Sequence, residues 1–251
     1  MTEKVVAFIP ARCNSERLPG KHFVDIGGKI MIQHVVDAVR KCPRVDQIVI
    51  CTNADPVNDR LREYAKKENV ECLSYLGNPD HVTSRLNSAA LIYGAGICVL
   101  VSGDCPLTDP DSIDRLAYHL ARSPSALLIV LSFHPELGHL AMEGIQVARI
   151  KAWQRSNWVS TNAEREHQFP QIYANLDDYA HGKSMFPLSY CGPKFRMSVD
   201  TLADVRFMNE LHAGLKKNGL DFTTENAVKY VRDNPEILKI NEHVKQRMVG
   251  E

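Results

Sequence analysis

The amino-acid sequence predicts a three-layer αβα protein built on a mostly parallel, Rossmann-like sheet. Three observations lead there. Short, near-continuous apolar runs recur through the first half of the chain, amphipathic stretches of helical length separate them, and Gly/Pro-containing polar loops follow their carboxyl ends. Runs without polar alternation are strands covered on both faces, as in a parallel sheet flanked by helices. Strands alternating with helices connect by right-handed βαβ crossovers.

The expected strands are VVAFI at 5–9, QIVICT at 47–52, VECLSY at 70–75, ICVLVS at 97–102 and ALLIVLS at 126–132. The expected helices lie at 31–42, 56–68, 82–93 and 111–122. Ile32, Val35, Val36 and Val39 recur at helical spacing in the first; Leu61, Tyr64 and Ala65 share one face of the second, behind Pro56, which suits a first helical turn. After about residue 132 the alternation stops. Residues 144–150, 185–190 and 195–199 read as further strands, and 152–182, rich in His, Asn, Tyr and Gln, reads as an insertion. The expected organisation is one domain over 1–251 with an inserted lobe at about 133–195. From Thr201 the helical period resumes through Val205, Met208, Leu211 and Leu215 to a stop near Asn218-Gly219, and a second helix at 225–232 follows Thr223-Thr224, which can cap it.

Composition narrows the function. Thirty Lys and Arg balance thirty Asp and Glu over 251 residues. Zero net charge argues against a general nucleic-acid binder or a membrane-surface protein, because both usually carry a basic excess. The seven cysteines are an odd number with no C-x-x-C and no short Cys/His spacing, so neither a disulfide framework nor a zinc site is expected. The apolar start of the chain meets Pro10 and Arg12 too soon for a signal sequence, and no run approaches the ~20 apolar residues of a bilayer span. A reduced, soluble, cytoplasmic protein is the expectation.

The loop after the first strand carries the densest chemistry: Pro10-Ala11-Arg12-Cys13-Asn14-Ser15-Glu16-Arg17-Leu18-Pro19-Gly20-Lys21. In an open α/β sheet the ligand sits beyond the carboxyl ends of the strands, where this loop begins. Three cations, a hydroxyl and backbone N–H groups held by prolines suit a polyphosphate, although a solvated basic loop would have the same charge count. The pattern is neither a Walker A loop nor a G-x-G-x-x-G fingerprint. Asp104, in Ser102-Gly103-Asp104-Cys105-Pro106-Leu107, and Asp200, in Met197-Ser198-Val199-Asp200-Thr201, each follow an expected strand. Either alone is as readily an N-cap, but Asp109-Pro110-Asp111 better suits the cap of the next helix and leaves Asp104 for other work. Two strand-end carboxylates facing a cationic loop make a site for Mg²⁺ and a triphosphate, since Mg²⁺ takes one or two carboxylates together with phosphate oxygens.

Phe8-Ile9-Pro10-Ala11-Arg12-x-x-Ser15-x-Arg17-Leu18-Pro19-Gly20-Lys21 resembles the opening motif of the CMP-sugar-acid synthetases, the cytidylyltransferases of 3-deoxy-manno-octulosonate, acylneuraminate and spore-coat polysaccharide type. The likeness continues through Asp25-Ile26-Gly27-Gly28-Lys29, Ser102-Gly103-Asp104-x-Pro106-Leu107-x-Asp109-Pro110, Glu164-Arg165-Glu166-His167 and Ser198-Val199-Asp200-Thr201-x-x-Asp204. The C-terminal Asn234-Pro235-Glu236…Lys239-Ile240-Asn241 is most similar to the spore-coat branch.

The resemblance implies a nucleotidyltransferase sheet of the glycosyltransferase-A-like kind, with Arg12 and Lys21 on the CTP phosphates, Arg17 and Ser15 nearby, and Pro10 and Ala11 at the cytosine edge. It further implies Asp104 and Asp200 as Mg²⁺ carboxylates, Ser84, Arg85 and Ser102 in the nucleotide pocket, and Arg165, His167, Arg196 or Lys194 toward the acceptor. The implied reaction is attack of an acceptor oxygen on the α-phosphorus of CTP, giving a CMP-linked sugar acid and pyrophosphate. Ser102 and Cys105 stand where the octulosonate and neuraminate enzymes would carry Glu or Gln, and Gln168-Phe169-Pro170 replaces Val-Thr-Pro, so the acceptor is open. The alternatives are a phosphonate acid as acceptor, another NTP, or a nucleotide-binding module without turnover. A homodimer is implied, with Phe169, Tyr173, Tyr179, Phe186 and Tyr190 available either for it or for a local core.

Overall fold

The computed structural model describes residues 3–132, 139–140 and 144–245. Its strands are β1 (Val5–Pro10), β2 (Asp25–Ile26), β3 (Lys29–Ile30), β4 (Gln47–Asn53), β5 (Glu71–Tyr75), β6 (Ile97–Val101), β7 (Leu128–Ser132), β8 (His139–Leu140), β9 (Ile145–Arg149), β10 (His181–Met185) and β11 (Cys191–Gly192). Its α-helices are α1 (Met31–Arg40), α2 (Asp59–Lys67), α3 (Val82–Ile92), α4 (Pro110–Ala121), α5 (Ile150–Val159), α6 (Asn162–Arg165), α7 (Pro170–Ala174), α8 (Leu202–Lys217) and α9 (Thr224–Asp233).

Seven strands form the central sheet in the order β10-β7-β9-β6-β1-β4-β5. β1 pairs in parallel with β4 and β6, and β9 alone runs antiparallel to its neighbours. The unbroken apolar run of β1 follows from its central place. Val5, Ala7 and Ile9 enter one buried layer with α1 and α4, while Val6 and Phe8 enter the opposite layer with α3 and α5. Each buried side chain of this size contributes about 1.5–3 kcal/mol, so the sheet is anchored through both faces. The expected strands and helices of the first 132 residues form within a few residues of their boundaries; Asp109 caps α4 by accepting from the Ser112 N–H at 2.8 Å.

The second half departs from expectation. Of the expected strand at 185–190 only Met185 is in one, at the end of β10, which begins inside the stretch read as insertion; Pro187 lacks a ladder donor, and Leu188–Tyr190 forms a 3-10 turn. The stretch 195–199 is not a strand. The sheet edges are β10 and β5, and its apolar residues Phe195, Met197 and Val199 instead pack with α8 and α9 in a third cluster. Burial of these apolar residues records helix contact, not ladder pairing.

Within the expected lobe at about 133–195, residues 133–138 and 141–143 lie outside the described residues; β9 and β10 belong to the central sheet, and α5 packs on α3. Phe169, Tyr179, Phe186 and Tyr190 are buried, Phe169 stacking on Trp153 at 4.4 Å between centroids, whereas Tyr173 is exposed. Among the described residues no helix is long and apolar enough to cross a membrane.

Candidate active site

The carboxyl ends of β1 and β6 lie side by side, so the loops that follow them meet at one rim. The first loop is closed on itself: Gly20 donates to the Cys13 carbonyl at 2.8 Å, and Cys13 donates to Oδ1 of Asn58 at 2.8 Å. Gly20 turns at φ 69°, a left-handed conformation that glycine adopts without penalty. Lys21–Phe23 then forms a 3-10 turn that carries Lys21 over the loop after β6.

The Lys21 ammonium lies 2.6 Å from Oδ2 of Asp104 and 2.9 Å from Oδ1 of Asp200. The two aspartates come together because the Val199 N–H donates to the Asp104 carbonyl at 2.9 Å, stitching the segment before α8 to the loop after β6. Arg17 and Arg196 also reach Oδ2 of Asp200, at 3.0 and 2.9 Å. Burial alone would lower the Lys21 pKa, but the two carboxylates outweigh it and raise it. Burial opposes ionisation of Asp104, yet the adjoining Lys21 holds its carboxyl below the usual range. Both groups are therefore charged at neutral pH.

Arg12 pairs with Asp80 at 3.0 Å on the outer side of the rim. Its backbone N–H donates to Nε2 of His22 at 3.2 Å, and Nδ1 of the same ring meets the Gly103 carbonyl at 2.9 Å. An imidazole that accepts at Nε2 must carry its proton on Nδ1, so the two bonds select one neutral tautomer. Burial, then the neighbouring Lys21 charge, pushes the His22 pKa down to about 4. Arg85 is buried at 1% exposure, donates to the Pro79 carbonyl at 3.0 Å, and has no carboxylate partner among the described residues. Its Nε has no hydrogen-bond partner.

These groups line a cleft of about 1240 Å³. The structure brings into it Pro10, Ala11, Arg12, Ser15, Arg17 and Lys21 from the first loop. From later segments it adds Arg85, Ser102, Asp104, His167, Arg196 and Asp200. Two expected residues are not brought there. Ser84 turns its hydroxyl onto Oδ1 of Asn157 at 2.9 Å. Arg165 directs its guanidinium to the Asn157 carbonyl at 3.0 Å and to Asn162 at 3.2 Å. Both lie on helix faces turned toward α5. Arg196 lines the cleft but is committed to Asp200 and Asp204. Lys194 also lines it, exposed and without an ion pair among the described residues.

Sequence reasoning gives no role to His22, Asp80 or Asp204, three residues that shape the cleft, and reads Gln168 only as a departure bearing on the acceptor. Gln168 accepts from the Ser102 hydroxyl at 3.0 Å, and Asp204 accepts from the Asp200 N–H at 3.1 Å. Asp204 ends the motif that begins at Ser198 and His22 directly follows the one that ends at Lys21, but bonds to backbone leave no residue signature in the partner.

A divalent cation fits this arrangement. Asp104 and Asp200 aim hard oxygens at one point, where the Lys21 ammonium sits within 3 Å of both. Among the described residues no cluster of three or more His, Cys, Asp or Glu forms a metal cage, so these two carboxylates leave room for the phosphate oxygens that Mg²⁺ prefers as partners.

Comparison with known proteins agrees with the geometry. The family model for cytidylyltransferases matches residues 6–188. The chain is 29% identical to the 3-deoxy-manno-octulosonate cytidylyltransferase of Geobacter sulfurreducens over 96% of this chain and 85% of that protein. A solved cytidylyltransferase from Leptospira borgpetersenii superposes with a TM-score of 0.80 at 21% identity, covering 98% of this chain and 99% of that one. A CMP:2-keto-3-deoxy-manno-octonic acid synthetase, solved as a complex with CTP, superposes with a TM-score of 0.67 at 20% identity over 84% and 98%. The chain belongs to the cytidylyltransferase family of nucleotidyltransferase enzymes.

Proposed function

We propose that the protein transfers CMP from CTP to an acidic sugar acceptor of the 3-deoxy-octulosonate or nonulosonate kind, releasing pyrophosphate, in a Mg²⁺-dependent reaction. The convergence of Lys21, Asp104 and Asp200 at the rim of the cationic loop carries this reading. Charge develops on the α-phosphate and on the departing pyrophosphate, so fixed cations already aimed at that point stabilise the transition state without reorganising. Arg12 and Lys21 neutralise the phosphates, and Arg85, having no internal counter-ion, offers a further positive group facing the nucleotide. Pro10 and Ala11 border the base, and the closed first loop holds them. Mg²⁺, when bound to Asp104 and Asp200, supplies a Lewis acid toward the phosphate oxygens.

Of Arg165, Arg196 and Lys194, Arg165 lies outside the cleft and Arg196 is held by two aspartates. Lys194 is the one left for that role, with His167 and the Ser102–Gln168 pair bordering the acceptor. Of the five aromatics available for a dimer interface Tyr173 is the exposed one, and with the exposed Trp158 it offers surface to a second copy of the chain.

The test is a panel of sugar acids and phosphonate acids incubated with CTP and Mg²⁺ and read by pyrophosphate release. The reading requires turnover with a sugar acid, a preference for CTP over UTP, GTP and ATP, and loss of turnover with EDTA. Asp104→Asn and Asp200→Asn are each expected to lose about 10²-fold or more. Turnover with phosphonates alone would move the acceptor class, and CTP binding without turnover would leave a nucleotide-binding module.

A further inference from the structure

The C-terminal motif ending at Asn241 is not explained by the site as described so far. Pro235–Ile240 forms a 3-10 segment against α8 and delivers Asn241 to a position only 3% exposed, where its amide donates to Oδ1 of Asp204 at 2.9 Å. Asp204 is fully buried. Its Oδ2 accepts from the Asp200 and Thr201 N–H groups at 3.1 and 3.0 Å, and its Oδ1 also accepts from Nε of Arg196 at 3.1 Å. Nη2 of Arg196 in turn donates to Oδ2 of Asp200 at 2.9 Å. Asp204 thus holds Asp200 twice, by its backbone and through Arg196 by its carboxylate.

We infer that Asn241 is a positioning residue for Asp200, acting through the Asp204–Arg196 pair. The inference rests on the reading of Asp200 proposed above. Its physical basis is the shared acceptor. A buried carboxylate oxygen short of a donor is costly, and Asp204 without Asn241 recovers that loss by drawing Arg196 toward itself and away from Asp200. The neutral amide fills the vacant lone pair without adding charge, so the single guanidinium stays divided between two aspartates. Asn241 also lies beyond residues 6–188, the part matched by the family model.

Variants of the whole 251-residue chain test this, using the acceptor that is active in the panel. Asn241→Ala is expected to lower kcat about tenfold to a hundredfold while the protein stays folded by circular dichroism, the usual size for a group that orients a metal-binding carboxylate. Asn241→Asp keeps the volume but replaces the donor with a second carboxylate, and its loss is expected to be at least as large. In an Asp204→Asn background, adding Asn241→Ala is expected to change kcat by no more than about twofold, because coupled residues are not additive. Asn234→Ala, in the same segment but donating only to the Tyr230 carbonyl, is expected to keep the parent kcat.

The inference is overturned if Asn241→Ala retains kcat, if Asn241→Asp tracks the parent, or if the full loss persists in the Asp204→Asn background. A crystal structure of Asn241→Ala gives a readout independent of turnover. Arg196 withdrawn from Asp200 supports the relay, and an unchanged Arg196–Asp200 contact overturns it. If the parent protein turns over no acceptor at all, the functional reading fails instead, and the crystal structure still decides the relay.

Discussion

Lys21 and Asp104, 83 residues apart in the chain, are joined at 2.6 Å at the rim of the cleft. Lys21 is the point at which the loop after β1, the loop after β6 and the segment before α8 become one electrostatic unit. Lys21→Met keeps much of the aliphatic stem but leaves Asp104 and Asp200 facing each other without a shared cation. Breaking a largely buried pair by removing one partner costs about 3–5 kcal/mol, reduced here because Asp104 retains 24% side-chain exposure. The expected outcome is a lower melting temperature together with a loss of about 10²-fold or more in kcat/KM. Thermal melts and pyrophosphate release on the same preparation check both. Retained activity would remove Lys21 from the chemistry.

His22 gives the fold a pH dependence. Its pKa is depressed to about 4 in the folded protein, by burial first and by Lys21 second, against about 6.5 when unfolded. Between those values the unfolded chain binds the extra proton and the folded chain does not, so stability rises with pH across that window and is flat above it. Lowering the pH from 7.5 to 5.5 is expected to remove about 1.4 kcal/mol through His22 alone. Asp104 and Asp204, whose carboxyls are held low, lose their contribution only at more acidic pH. Urea unfolding at the two pH values, compared between the parent and His22→Gln, isolates the histidine: the variant should show a smaller drop by about that amount.

Legibility in the sequence followed the physics of burial. β1, β4 and β6 are covered on both faces, so they announce themselves as apolar runs. The stretch 195–199 is apolar for another reason, contact with α8 and α9, and the same pattern misled. At the site, the cations and carboxylates of the linked motifs could be read because charge is carried by residue identity. Whether a side chain faces the cleft or a neighbouring helix could not, since that depends on helix phase and backbone partners. Arg165 and Ser84 show the difference. The Ser84 hydroxyl and the two terminal nitrogens of Arg165 are committed to α5 or its neighbour α6. Arg165→Ala and Ser84→Ala are therefore expected to leave kcat/KM within about twofold, with stability changes of about 1 kcal/mol or less. Arg196→Ala is expected to lose far more, because it removes the side chain that bridges Oδ2 of Asp200 and Oδ1 of Asp204. A large loss from Arg165→Ala in steady-state kinetics would restore it to the acceptor site.

Gly144 permits a test of how the cleft is divided. It lies at φ 72°, and its carbonyl accepts the Ser102 N–H at 2.7 Å. A methyl group built on it would come within 2.6 Å of the Ser102 Cβ and 2.9 Å of the Cys105 Sγ. Ser102 and Cys105 are held by the turn after β6 and by burial, so the neighbours have little room to yield. Gly144→Ala pairs an unfavourable left-handed alanine, about 1 kcal/mol or more, with a displaced Ser102–Gln168 contact. That contact borders the proposed acceptor half of the cleft, while Arg12, Lys21 and Arg85 line the proposed nucleotide half from other elements. The acceptor KM should rise with CTP KM changed by no more than about twofold, since the atoms nearest the added methyl belong to Ser102 and Cys105 and not to Arg12, Lys21 or Arg85. Equal rises in both would mean that the floor beneath Ser102 serves the nucleotide as well. Only the acceptor responding would place Ser102 and Gln168 on the side where this chain selects its acid.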